Sequence, residues 1–159
     1  MRNALLLSLL IAAAPACAQK NARPIVVVPL KLQGIVAEVV ESARADSVLS
    51  VRIRLRNTGD RAVSVRVVEA GDFNANYVSA ENRKYLILHT PGGKHAASPA
   101  DGSGNVGTSL KQGESWTWWA KFPAPPRHVR SYTYYWPLGD PIERLPIRDS
   151  AEPPRGLRR

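Results

Sequence analysis

The sequence predicts an all-β protein, an antiparallel sandwich of about seven strands. Three observations predict it. Leu49, Val51, Ile53 and Leu55 alternate with Ser50, Arg52, Arg54 and Arg56, the period-two pattern of a half-buried strand. Short apolar runs are separated along the chain by Gly, Pro, Asn and Ser turn signals. No stretch carries the periodicity of an amphipathic helix, so the strands lack crossover helices and must pack sheet against sheet.

Taken in order, residues 1–18 have the form of a secretory signal: Arg2 as the positive start, an apolar run over 4–14, then Pro15 and the small-x-small spacing of Ala16-Cys17-Ala18. An alternative takes Ala14-Pro15-Ala16-Cys17 as a lipobox, with Cys17 lipidated as the first mature residue. Either way the chain is expected to be exported, periplasmic or secreted, and no later run approaches the ~20 apolar residues of a transmembrane helix. Residues 19–34 form an extended N-terminal arm, in which Pro24 and Pro29 bracket the apolar run 25–28 and restrict it to a sheet edge.

The sandwich domain is expected over 35–148. Residues 35–42 form a first strand with Glu38 and Glu41 facing out. Residues 47–68 form a hairpin turning at Asn57-Thr58-Gly59-Asp60, with Val63, Val65 and Val67 resuming the alternation. Residues 70–82 are irregular, and 85–89 (YLILH) form a strand buried on both faces. Residues 90–109 hold five glycines and two prolines and form a long loop, a length usually functional or disordered. Strands follow over 115–122 and 128–136, with an edge piece over 142–147. Residues 149–159 are expected to be a disordered basic tail.

The "VRIRLRNTGDRAVSV" segment, together with "SLKQGES" leading into "WTWWAKFPAPP", resembles the immunoglobulin-like β-sandwich modules of bacterial exported proteins and lipoproteins. The resemblance covers roughly residues 35–147. It implies an immunoglobulin-like fold and a role in binding, spacing or bracing, and it carries no catalytic residues. The Trp and Tyr density after residue 115 is not part of that pattern.

The chain holds 22 Lys+Arg against 13 Asp+Glu, a net +9; losing Arg2 with the signal leaves +8. For an exported protein this points to an anionic envelope component or an envelope protein rather than nucleic acid, or to a basic surface that only maintains solubility. Eight of the eleven aromatic residues lie between Trp116 and Trp136. Trp116, Trp118 and Phe122 share one strand face opposite Trp119, and Tyr132, Tyr134 and Trp136 share one opposite Tyr135. If these two strands pair, one aromatic set fills the core and the other lands outside. Trp119 and Tyr135 are thus candidate ligand contacts, since exposed aromatics stack on sugars or anchor partners. Arg52, Arg54 and Arg56 are candidate anion contacts, although Glu38, Glu41 and Glu69 are placed to neutralise part of that strip.

No metal site is expected: His89, His95 and His128 have no ligand spacing, and the chain has one cysteine. No cofactor motif, nucleophile elbow or phosphate loop occurs. The expected function is therefore a non-catalytic binding or accessory module of the bacterial envelope. The alternatives are a cell-wall or glycan-binding module using the aromatics and arginines, and a small envelope hydrolase.

Overall fold

A computed structural model describes residues 23–150. The expected signal, Cys17 and residues 151–159 lie outside the described residues. Within them the chain is almost entirely β: β1 (Val26–Pro29), β2 (Ile35–Ala45), β3 (Val48–Asn57), β4 (Val63–Val68), β5 (Tyr77–Ala80), β6 (Arg83–Leu86), β7 (Val106–Leu110), β8 (Ser115–Pro123), β9 (Ser131–Tyr135), β10 (Ile142–Pro146) and β11 (Arg148–Asp149). One 3-10 turn, Phe73–Ala75, interrupts them. Several strands are only four or five residues long, which is why pattern alone suggests fewer.

Three sheets result. The first runs β1-β2-β3-β8, with β11 continuing the edge that β1 begins along β2; the second runs β10-β9-β5-β6; the third is the pair β4-β7. Pairing is antiparallel except for the short contact of β11 with β2. The first and second sheets pack face to face in a sandwich-like arrangement. Leu49, Val51, Ile53 and Leu55 of β3 lie beside Phe122, Ala120, Trp118 and Trp116 of β8, on the face that meets Tyr132 and Tyr134 of β9. Trp118 Nε1–H donates to Tyr134 Oη at 2.8 Å, and Ser42 Oγ and Tyr132 Oη share a bond of 3.0 Å. Tyr134 Oη reaches Asn76 Oδ1 at 3.3 Å, and Asn76 Nδ2–H donates to Val67 O at 2.9 Å. One buried chain of hydrogen bonds thereby ties all three sheets together.

The expected hairpin over 47–68 is corrected. Both edges of β3 are occupied, by β2 and β8, so β4 leaves the sheet and pairs with β7 instead. Asn57 is the pivot. Buried at the end of β3, its Nδ2 donates to Arg61 O and Leu110 O and its Oδ1 accepts from Gly59 N–H. The true hairpin joins β2 to β3 through Asp46 and Ser47, with Asp46 in the left-handed region at φ 51°, a conformation Asp tolerates better than most residues.

Other expectations also change. The 70–82 region contains β5, the strand between β6 and β9 in the second sheet. The 85–89 run is not buried on both faces: Tyr85 and Ile87 point in, while Leu86 is 41% exposed. The 90–109 segment is not structureless, since it ends in β7 and is held by turn hydrogen bonds at Thr90, Gly93 and Asp101. Asp149, placed in the tail by the sequence, lies in β11 and accepts from Arg44 Nε–H at 2.6 Å. Arg44 itself is 3% exposed and its guanidinium also donates to the carbonyls of Pro125, Pro126, Arg127 and Val129. Its fork of donors closes the strand connection 124–130 onto the first sheet.

Candidate binding site

The outer face of the first sheet collects most of the sequence candidates. Alternation places Arg52, Arg54 and Arg56 on the side opposite the core, and the β3–β8 register sets Arg52 beside Trp119 and Arg54 beside Thr117. A bulge in β2 between Val39 and Glu41 brings Glu38 and Glu41 onto this same face. Three residues apart, they would otherwise point to opposite sides.

The arginines are consequently not a bare cationic strip. Arg54 Nε lies 2.6 Å and Arg56 Nη2 2.9 Å from the Glu38 carboxylate, and Arg52 Nε lies 2.7 Å from Glu41. The Glu38 side chain is only 6% exposed. Burial pushes its carboxyl up, but the hydrogen bonds and charges of Arg54 and Arg56 outweigh that and hold it below the ordinary glutamate value. Three guanidinium groups thus face two carboxylates. Arg66 does not extend the strip: it lies on β4 in the third sheet and pairs with Glu69 at 3.0 Å.

Tyr135 sits elsewhere. β8 and β9 do not pair with each other; they lie in different sheets with Trp118 and Tyr134 meeting between them. The next residues along, Trp119 and Tyr135, therefore point away from each other, to opposite outer faces. Tyr135 stacks on Tyr77, ring centroids 4.5 Å apart, and Lys84 Nζ covers the Tyr77 ring at 3.9 Å. The two aromatic candidates cannot touch one small ligand.

Trp119 has different neighbours. A cleft of about 430 Å³ is lined by Trp116, Thr117 and Trp119 on one side and by residues 98–101 and 105–107 on the other. Trp116 and Trp119 project from opposite faces of β8, so a cleft that touches both lies over the edge of the strand. A second cleft, lined by Ser64, Arg66 and Thr108 among others, shares Asp101, Asn105 and Gly107 with it and continues toward β4. Gly107 has to be glycine here, because a Cβ would come 2.2 Å from Val65 O. Asp101 shapes the wall, its Oδ1 accepting from Ser103 N–H and Asn105 N–H. A larger hollow of about 690 Å³, lined by residues 33–34 and 59–63, is made by two turns and has no aromatic lining residue.

The backbone explains why the edge is open. Asn57 N–H donates to Glu114 O and Gly113 N–H to Asn57 O, each at 2.9 Å. On that register residues 114, 116, 118 and 120 turn their peptide groups toward β3, whereas 115, 117, 119 and 121 turn theirs away. Trp119 O accepts from Ser98 N–H, Trp119 N–H donates to Ser98 Oγ, and Lys121 bonds Ala96 O and Leu88 N–H. Ser115 and Thr117 are exposed, and among the described residues nothing pairs their backbone on that edge. Neither these two residues nor the inward-facing Trp116 stands out in the sequence as a site candidate. Asp101-Gly102-Ser103-Gly104-Asn105, a dense turn signal, was the available clue to the opposite wall.

The histidines converge in part. His89 and His95 face each other with ring centroids 4.4 Å apart, and His95 stacks on Phe73 at 4.0 Å. Burial and then the neighbouring His89 lower the His95 pKa. Among the described residues no third acidic, histidine or cysteine ligand joins them, and His128 instead lies 2.9 Å from Glu81.

Compared with models of known families, with curated proteins and with solved structures, the chain matches none.

Proposed function

We propose that this chain is a non-catalytic binding or accessory module of the bacterial envelope, built as an immunoglobulin-like sandwich, whose contact site is the cleft along the open edge of β8. The observation that carries this reading is the position of Trp116 and Trp119. Two large aromatic groups from opposite faces of one strand line a single opening, and rigid aromatics of this kind supply much of the contact area at recognition sites. The lining residues include one ionisable group, Asp101, whose Oδ1 is already held by two backbone N–H groups. Hydrolysis by paired carboxylates would need a second acid there. Recognition through the arginine face is the weaker reading, because Glu38 and Glu41 occupy those guanidinium groups.

The signal-like residues 1–18 support an exported location. Among the described residues no helix is long and apolar enough to cross a membrane. Pull-down on purified peptidoglycan and on lipopolysaccharide, with wild type and Trp119→Ala side by side, tests the reading. Retention that Trp119→Ala abolishes is expected. Equal retention of the two proteins removes the cleft from the function, and turnover of a generic hydrolase substrate panel removes the non-catalytic assignment.

A further inference from the structure

We infer that the cleft takes an extended, carboxylate-bearing polypeptide segment, which pairs with β8 as an added strand at Ser115 and Thr117. This rests on the preceding proposal that the β8 cleft is the contact site, and it names the ligand chemistry. Ser115 and Thr117 present two N–H and two C=O groups along an exposed strand edge. Outward-facing residues two apart lie about 6.8 Å from one another, the repeat of an extended main chain. Only a second polypeptide strand offers donors and acceptors in that alternating order, which is the basis of strand addition.

The walls fit the same occupant. A strand beside β8 projects alternate side chains to the two faces of the sheet, one set toward Trp119 and the other toward Trp116. Ser98 marks where the added strand must stop, because from Trp119 onward the edge is already taken by residues 96–98 and Leu88. The recognised segment is therefore short.

Charge chooses between possible partners. Lys111 precedes β8 and Lys121 follows Trp119 on its outer face; both are exposed, and neither has an ion pair among the described residues. Asp101 and Glu114 accept backbone N–H groups but keep their negative charge, so a ligand carboxylate belongs at Lys111 or Lys121, at the two ends of the edge, and not against the Asp101 wall of the cleft. With the chain at +9 overall, a second copy approaching edge to edge meets like charge, whereas an acidic segment is attracted.

The test uses the synthetic peptide acetyl-Glu-Val-Thr-Val-Glu-Val-amide and a version N-methylated at every residue, which removes the N–H donors of both strand edges but keeps the side chains. Titration into the ¹⁵N-labelled protein should shift the Ser115 and Thr117 amide signals and slow their hydrogen exchange at least tenfold. The N-methylated peptide should bind at least tenfold more weakly, and raising salt from 0.05 to 0.5 M should weaken the parent peptide severalfold. Thr117→Pro deletes one edge donor without touching the β3 ladder and should weaken binding at least tenfold; if that variant fails to fold, the N-methylated peptide decides alone. Equal binding of the two peptides, or no shift at 5 mM peptide, overturns the inference. So does a concentration-dependent dimer by sedimentation that occupies the same amides. Loss of peptide binding while Trp119-dependent retention on peptidoglycan persists would refute strand addition in favour of a glycan and leave the cleft assignment standing; failure of both removes the cleft itself.

Discussion

Two tyrosine-to-phenylalanine substitutions, chemically identical, should move stability in opposite directions. Tyr134 is fully buried and its Oη stands between Trp118 Nε1 at 2.8 Å and Asn76 Oδ1 at 3.3 Å. Burial also pushes its phenol well above the ordinary tyrosine pKa, so the hydroxyl keeps its proton and can accept and donate at once. Tyr134→Phe leaves an indole N–H and an amide oxygen without partners in the core. Each stranded buried group costs about 1–3 kcal/mol. The longer Asn76 contact belongs at the low end of that range, so the expected total is about 2–4 kcal/mol.

Tyr85 is buried too, but its Oη has no hydrogen-bond partner among the described residues. Tyr85→Phe removes a desolvated polar atom and should be neutral or stabilising by about 1 kcal/mol. Urea denaturation followed by tryptophan fluorescence separates the two: the midpoints should move apart while the slopes stay constant. For a chain of this size about 4 °C of melting temperature accompanies each kcal/mol. A Tyr134→Phe loss below about 1 kcal/mol, or a Tyr85→Phe loss above it, would refute the hydrogen-bond accounting of this core.

Glu38 gives a pH signature. Its carboxyl is held below the ordinary glutamate value in the folded protein, so its contribution is present above the unfolded pKa of about 4.3 and is lost as pH falls through the folded one. Glu38→Gln should therefore flatten the acid limb of the stability curve below about pH 5, measured by denaturant melts across pH. Arginine substitutions should split in the same assay. Arg52→Ser breaks a half-exposed pair with Glu41 and should cost under about 1 kcal/mol. Arg54→Ser with Arg56→Ser strands the buried Glu38 and should cost about 2–3 kcal/mol; equal effects would mean that burial of Glu38 is immaterial. Ile53→Ala, at a fully buried position, should lose about 2–5 kcal/mol, and a loss below about 1 kcal/mol would contradict its place between the sheets.

The parts of the fold that were legible in the sequence are those where one residue's environment follows from its neighbours two positions away. The alternation at 49–55 and the division of Trp116, Trp118 and Phe122 from Trp119 are of this kind, and both appear in the register of β3 with β8. Pairing partners were not legible. Nothing local to Asn57 says that β3 has both edges taken, and so a hairpin to β4 was the natural expectation. Nor does a period-two pattern announce a bulge. Glu38 and Glu41 share a face only because Val40 is inserted between paired residues.

Arg44 marks the same boundary for charge. In sequence it is one basic residue just beyond the strand expected over 35–42; in the fold it lies within β2 and faces inward, with its guanidinium spent on four carbonyls and Asp149. A buried arginine of this kind cannot be inferred from periodicity, because only the arriving backbone of 125–129 and the returning β11 supply its acceptors. The candidate site fails to announce itself for a related reason. Sequence can nominate Trp119 as outward-facing, but an open edge is defined by the strand that is missing beside Ser115 and Thr117, and that absence becomes visible only once every other strand has found its partner. Trp116 and Trp119, projecting from opposite faces of β8, line the opening along that edge together with residues 98–101 and 105–107.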